Sequence, residues 1–413
     1  MSKLKDQPAK RDKNHAQRDH REIGRELDLF SFHDVAPGAV FWHHKGLIIY
    51  KTLVGTIQTL LARNGYQEVL TPVMVKNSLF KRSGHWDYYH ENMFNLLVDD
   101  EEYSLKPMNC PEASLIYSSG IRSYQDLPLR LSEIGTLHRN ELSGVLGGLF
   151  RVRQFTIDDA HHFIRPDQIQ EEIKELTLLV INFYRQFGFK TEFYLSTKPD
   201  KAMGDPKLWI KAEEDLKTAL EKLKIKYDIK EKDGAFYGPK IDIHIRDSQG
   251  RDWQLTTIQL DFQIPDKMKL EYIDEKGKPQ RPVIIHRAIL GSVERFIGII
   301  TEHYQGAFPL WLSPIQVEVL SVSDKHNTSA KKVHDELLKE GIRSELNDDN
   351  KQLGAKIRES TLQKVPYMVI IGDKETAVKP LSVSIRTREG KDLGLQKLSE
   401  FVQLIKSNIE TYQ

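Results

Sequence analysis

The stretch from 129 to 163 constrains this chain most. It reads as an alternating strand over 129–135, a polar glycine-containing loop, and a second strand from Arg151. Two such strands so close in sequence demand an antiparallel sheet, and successive side chains on each must point to opposite faces. On the return strand one face carries Arg151, Arg153, Phe155, Ile157, Asp159 and His161; the other carries Val152, Gln154, Thr156, Asp158, Ala160 and His162. The first face lines up cations, an aromatic ring, a carboxylate and an imidazole. From Phe155 to His161 it spans roughly 20 Å, the length of a nucleotide joined to a second small group. Taken alone, the pattern fits equally a strand whose charges are simply solvated.

Around this hairpin the elements follow without strict alternation. Leu47, Tyr50, Val54, Ile57 and Leu61 recur at helical spacing and stop before Gly65. Residues 66–72 read as a strand ending at Pro72, 169–186 as an amphipathic helix closed by Gly188, 241–245 as a half-buried strand, and 253–265 as extended. Pro282-Val283-Ile284-Ile285-His286-Arg287 reads as a buried strand leading to a helix capped by Ser292. In that helix's first turn Arg295 opposes the helix dipole, which suits a cation facing an anion or one turned into water. The interleaving predicts an α+β domain on an antiparallel sheet with flanking helices. After a hinge near 308–314, strands at 315–322, 344–346, 367–371 and 381–386 alternate with helices at 329–339, 353–364 and 398–409. That order predicts a small α/β domain with a mixed sheet. The expected division is a basic tail or linker stub at 1–22, a domain at 23–312 and a second at 313–413.

Several function classes are excluded or narrowed. With 413 residues, 39% hydrophobic and 29% charged, the chain has ordinary soluble composition and no apolar run long enough to span a membrane. Sixty Lys and Arg against 59 Asp and Glu give a net charge of +1, so any nucleic-acid contact must be local. The one cysteine, Cys110, forms no disulfide within the chain, and the polar N-terminus has no signal-peptide core; a reducing, cytoplasmic setting is the expectation. There is neither a Gly-x-x-x-x-Gly-Lys-Ser/Thr loop nor a Gly-x-Gly-x-x-Gly turn, so arginines must hold the phosphates of any bound nucleotide. Zinc-finger spacing around Cys110 is also absent, and metal binding does not follow from spacing.

Assembled in order, the motifs resemble those of the threonyl-tRNA synthetases, a branch of the class II aminoacyl-tRNA synthetases. The series includes Arg18-Asp19-His20-Arg21, the 65–72 segment, Lys106-Pro107-Met108-Asn109-Cys110-Pro111 and His138-Arg139-Asn140-Glu141. It continues with Arg151-Val152-Arg153, Asp158-Asp159-Ala160-His161, Phe236-Tyr237-Gly238-Pro239-Lys240 and the run from His286 to Phe296. The resemblance implies a class II catalytic domain followed by an anticodon-binding domain, in a cytoplasmic homodimer. It implies a threonine–tRNA ligase using ATP and L-threonine to charge tRNA(Thr), with Mg²⁺ accompanying ATP and one catalytic Zn²⁺ per subunit. Cys110, His161 and His286 match the zinc ligands, and three protein ligands suit a catalytic site with an open position. Arg139 and Arg295 match catalytic arginines. Glu141, Arg151, Phe155 and Gln254 join them as ATP-binding residues, Asp159, Tyr237 and Gln259 match threonine contacts, and Asn350, Glu375 and Arg386 match anticodon readers. Gln254 and Gln259 are five apart, so both face one site only if the strand carries a bulge.

The chain departs from the pattern at Glu112 and Ala113, where Gly and His are common, and at Ile157, where Gln is common. The family's N-terminal domains, including the editing domain, are expected to be missing here, with measurable serine mischarging as the result. A carrier-charging paralogue and an inactive RNA-binding regulator are the competing readings. The anticodon-domain motifs argue against the first, and the intact arginines and Cys/His/His trio against the second.

Overall fold

The computed structural model describes residues 18–412. Its first helix is α1 (His20–Glu26), capped by Asp19, whose carboxylate accepts the Arg21 N–H at 2.7 Å. The tail expected at 1–22 therefore ends earlier than its charge suggests: His20 is buried and its ring nitrogen lies 2.7 Å from Glu302. Residues 1–17 of that segment lie outside the described residues.

Helix α2 (His44–Arg63) buries Ile49, Leu53, Ile57 and Leu61 on one stripe. Then come β1 (Gln67–Glu68), β2 (Met74–Lys76), α3 (Asn77–Ser83), β3 (Phe94–Val98), β4 (Glu101–Leu105) and α4 (Cys110–Ser118), which carries Cys110 and Pro111 in its opening turn. The hairpin foreseen in the sequence is β5 (Leu129–His138) and β6 (Gln154–Ile164). Beyond it lie α5 (Ile169–Arg185), β7 (Thr191–Ser196), α6 (Pro206–Lys222), β8 (Tyr227–Lys230), β9 (Lys240–Arg246), β10 (Asp252–Asp261), α7 (Gln263–Lys267), β11 (Val283–Ser292) and α8 (Val293–His303).

These strands form an eight-stranded sheet in the order β8-β7-β9-β10-β11-β6-β5-β1. Its six inner strands are antiparallel, and the two edge strands run parallel to their neighbours. One face is apolar: Ile241, Ile243, Ile245, Ile258, Ile285 and Ile289 share a core with α2, α5, α6 and α8. The other face carries polar side chains in register. Gln259, His286 and His161 form one row across β10, β11 and β6, and Thr257, Ala288, Asp159 and Glu133 the next.

The sequence expectations are corrected in four places. Strand β6 begins at Gln154 rather than Arg151, because the Arg153 N–H goes to Gly38 O at 2.7 Å. In the 66–72 segment only β1 pairs, parallel to Leu131 and Ser132. Strand β9 is buried on both faces except for Arg246, since Asp242 is neutralised by Lys240 and accepts from Ser196, each at 2.6 Å. The extended segment from 253 stops at Asp261, whose carboxylate takes the N–H groups of Gln263 and Ile264 and so turns the chain into α7.

One irregularity in β11 is held by a buried carboxylate. Ala288 pairs with Asp159 and Ser292 with Ile157, so Ile289, Leu290 and Gly291 bulge opposite Asp158 alone. The Asp158 carboxylate fills the gap, accepting from Ile289 N at 2.9 Å and Leu290 N at 2.8 Å, and pairs with fully buried Arg287 at 3.1 Å. Gly291 sits at φ +72°, the left-handed region where a side chain strains the backbone.

The second sheet has the order β13-β12-β14-β15-β16, from β12 (Val317–Ser321), β13 (Ser344–Asn347), β14 (Tyr367–Ile371), β15 (Ser382–Thr387) and β16 (Asp392–Lys397). Strands β13, β12 and β14 are parallel and the rest antiparallel, so the sheet is mixed as its element order predicts. Helices α9 (Asn327–Lys339), α10 (Leu353–Leu362), a five-residue α11 (Asp373–Ala377) and α12 (Leu398–Glu410) complete it, around a core of their own.

Candidate active site

The polar face of the large sheet, helix α4 and the loop before β9 enclose a cavity of about 370 Å³. Cys110, Arg139, Ile157, Asp159, Tyr237, Gln259 and His286 all line it, with Tyr89, Met108, Phe236, Thr257 and Ala288 among the others. Where Cys110 and His286 line it, their ligand atoms and that of His161 behind them, from three separate elements, lie within 4.8 Å of one another, and all three residues are buried. The two imidazoles meet edge to face with ring centres 4.9 Å apart. His161 Nε2 and His286 Nδ1 are buried with no hydrogen-bond partner. Buried polar atoms are nearly always partnered, so two orphaned nitrogens beside one sulfur fit a bound cation. One thiolate and two imidazoles suit zinc. Burial and the nearby Asp159 and Asp261 charges push the Cys110 thiol well up, while burial and the His286 charge hold His161 well below its ordinary value. The His161 imidazole is thus uncharged at neutral pH, with a lone pair on one ring nitrogen, and a cation must displace the thiol proton.

The side chains around the trio are themselves held. Asn109 donates to the Asp159 carboxylate at 3.2 Å, and burial lifts that carboxyl to about 6. Gly135 makes room for this, since a Cβ there would stand 2.7 Å from Asn109 Oδ1. The Tyr237 hydroxyl donates to Gln259 Oε1, and its ring centre is 4.9 Å from that of His286. His286 Nε2 lies 2.8 Å from Asp261 Oδ2. His85 is buried edge-on to Phe236, its Nδ1 on Ser83, and burial drives it down to about 3.

The cationic end lies at the other limit of β6. Arg139 sits 5.0 Å over the Phe155 ring, giving an aromatic platform with a guanidinium beside it. Arg295 is half-buried, bonded to Phe150 O at 3.0 Å rather than turned into water. Burial lowers it, and so do the charges of Arg139 and Arg151. Three guanidiniums held near one another against repulsion form a ready anion site. Glu141 accepts from Arg151 at 3.0 Å, which offsets part of that repulsion. Arg151, Glu141, Phe155, Arg295, Gln254 and His161 do not themselves line the cavity.

The bulge required by Gln254 and Gln259 is present: the β9–β10 register slips between Ile243 and His244, so that Gln254 pairs with His244 and Gln259 with Lys240. Gln254 is exposed and donates to Asp242. In the smaller domain Asn350 is exposed and Arg386 partly buried on β15. Glu375 is buried, with one oxygen on Gly372 N at 2.8 Å and the other accepting from Ser384. Asn109 and Asp261 were missed as site residues: the first lies within a quoted motif, but its partner is 50 positions away, and the second ends an extended segment with no local signal.

Known families match both parts of this arrangement. Residues 94–304 match the tRNA synthetase class II core domain (G, H, P, S and T), and 316–408 an anticodon binding domain. The threonine–tRNA ligase of Caldanaerobacter subterraneus subsp. tengcongensis is 52% identical over 394 residues, 95% of this chain and 61% of that protein. The crystal structure of the RNA binding domain of threonyl-tRNA synthetase from Cryptosporidium parvum Iowa II superposes with a TM-score of 0.92 at 43% identity, covering 94% of this chain and 98% of that one. A putative threonyl-tRNA synthetase from Aeropyrum pernix gives 0.83 at 28%, covering 96% and 97%. The chain belongs to the class II tRNA synthetases and, within them, to the threonyl-tRNA synthetase family. It spans about three fifths of the length of the curated relatives it matches.

Proposed function

We propose that this chain activates L-threonine with ATP and transfers it to tRNA(Thr). The observation that carries the reading is the Cys110, His161 and His286 trio, with two orphaned nitrogens, opening beside Asp159 into the cavity that Arg139 also lines. Cys110, His161 and His286 would hold a Zn²⁺. Bound there, zinc supplies a Lewis acid with an open position for the amino and hydroxyl groups of threonine. Asp159 accepts the threonine hydroxyl, and Tyr237 and Gln259 wall the amino-acid pocket. Valine offers no hydroxyl and leaves the buried Asp159 carboxylate with Asn109 as its one side-chain donor, the kind of loss that discriminates strongly.

Phe155 stacks the adenine, with Glu141, Arg151 and Gln254 around it. Arg139 and Arg295 hold the phosphates, and Mg²⁺ arrives with ATP. A threonine carboxylate oxygen attacks the α-phosphorus, the bond to the β-phosphate oxygen breaks, and pyrophosphate leaves. The arginines stabilise the charge that develops, with no covalent enzyme intermediate. A hydroxyl of the terminal tRNA ribose then attacks the threonyl carbonyl carbon and AMP departs.

Asn350 and Arg386 are the anticodon contacts; Glu375, expected as a third, is buried with its oxygens taken by Gly372 N and Ser384, and shapes the loop between β14 and β15 instead. Unstacked bases are the natural target of such a surface. The division at 312/313 belongs to the same reading. So does a cytoplasmic homodimer, which would cover Leu70, Met74, Leu96, Leu97, Val98 and Leu115, all of them exposed; among the described residues no helix is long and apolar enough to cross a membrane. Four of these lie on β2 and β3, the outer strands of a three-stranded sheet with β4 between them, an apolar concentration typical of interfaces. Pyrophosphate exchange across the amino acids, with and without chelator and followed by tRNA charging, tests the proposal. Threonine-specific, metal-dependent exchange supports it, and metal-indifferent exchange with another amino acid overturns it.

A further inference from the structure

We propose that Asp261 is a positioning residue that selects the tautomer in which His286 can ligate a metal; this rests on reading Cys110, His161 and His286 as zinc ligands. Asp261 is fully buried at the end of β10. Its Oδ1 is fixed by two backbone donors, Gln263 N at 2.7 Å and Ile264 N at 3.0 Å, so the group cannot rotate without stripping the start of α7. Its Oδ2 lies 2.8 Å from His286 Nε2. A carboxylate only accepts, so Nε2 must carry the imidazole proton and Nδ1 keeps its lone pair. Nδ1 is the buried atom without a partner, and it belongs to the ring that meets His161 edge to face. His286 reaches the site from β11 on the same row as His161, and the row alone leaves open which nitrogen faces Cys110. The ordered carboxylate settles that choice.

Asp261→Asn separates this role from mere packing. The amide oxygen still accepts from Gln263 and Ile264, but the NH₂ group faces Nε2 and can only donate to it. The imidazole proton is then driven to Nδ1, the atom needed for the metal. Asp261→Ser gives a second route: its hydroxyl can still cap the turn but is too short to reach His286. Zinc affinity of the 413-residue chain and of both variants is measured by chelator competition, with ligand-field absorption of the cobalt-loaded proteins and melting of the metal-free forms. The expected result is a zinc Kd about 10–100-fold weaker in both variants, altered cobalt bands in Asp261→Asn, and metal-free melting close to that of the parent. Weakening of less than about threefold in Asp261→Asn, or a collapse of metal-free melting in both variants, overturns the inference. A parent chain that binds no zinc sinks the underlying reading instead.

Discussion

Two trios of metal-ligating groups occur among the described residues, and they differ in what their lone pairs already do. Cys110, His161 and His286 leave two ring nitrogens without partners beside a cavity. Asp19, His20 and Glu302 are equally close, but His20 is used at both nitrogens: Nδ1 lies 2.7 Å from Glu302, and Nε2 accepts the Leu149 N–H at 3.0 Å. Arg251 also binds Glu302. The second trio fastens α1 to α8 and so closes one end of the apolar core. Proximity of ligand types is therefore a weak sign of a site, and unmet hydrogen-bonding capacity beside open volume is a strong one.

The contrast breaks most visibly at Cys110. Cys110→Ala is expected to lose bound zinc and about 10³-fold or more in threonine-dependent pyrophosphate exchange, because a Lewis acid contributes several kcal/mol, while melting of the metal-free protein stays near that of the parent. Elemental analysis should find one zinc per parent chain; two would mean that the His20 trio also binds. His20→Ala should show the reverse pattern, with zinc content unchanged and stability lowered by about 3 kcal/mol, because a buried partner of Glu302 is removed. Chemical denaturation reads this, and a loss of zinc with intact stability would contradict it. A smaller effect sharpens what the first trio reads. Serine keeps the hydroxyl and lacks one methyl, so serine and threonine should differ in activation kcat/KM by only about 10–200-fold; a ratio far above that means the pocket measures more than the hydroxyl.

The smallest effect lies in acid. Burial favours a raised Glu302, but the His20 ring and backbone N–H and Arg251 outweigh it and hold the carboxyl below its ordinary value. Its contribution is therefore present above the ordinary glutamate pKa and is lost as the pH falls from there toward the lowered value. Unfolding free energies in the acid limb should fall less steeply in Glu302→Gln, and an unchanged slope would place the pH dependence elsewhere.

The same contrast marks how much could be read from residues alone. The β6 alternation put Asp159 and His161 on one face correctly, because a central strand imposes a period of two. The spacing of Gln254 and Gln259 left two outcomes, a bulge in β10 or one misassigned glutamine; the bulge is present, and Gln254 still does not line the cavity. The three-residue bulge in β11 could not, because it depends on Asp158, which is 131 positions from Ile289. Arg153 looked like part of a strand until Gly38 took its N–H. The basic tail misled at His20, whose partner Glu302 is 282 positions away. Strand β16 was missed because its sequence, Asp-Leu-Gly-Leu-Gln-Lys, carries a glycine at φ +75° and little buried surface. The short α11 fell in a polar stretch with no periodicity to detect.

Strand β6 has a further consequence for how such a chain can change. Asp159 lines the cavity and Arg139 lies over the Phe155 ring, while Asp158 and His162 pair with Arg287 and Glu172 from the alternate positions. A substitution at one of these positions disturbs one set alone. A single-residue deletion between them exchanges the two sets at once, sending the site's groups into the core and the core's into the cavity. This segment should therefore be less tolerant of a change of length than of any single change of residue.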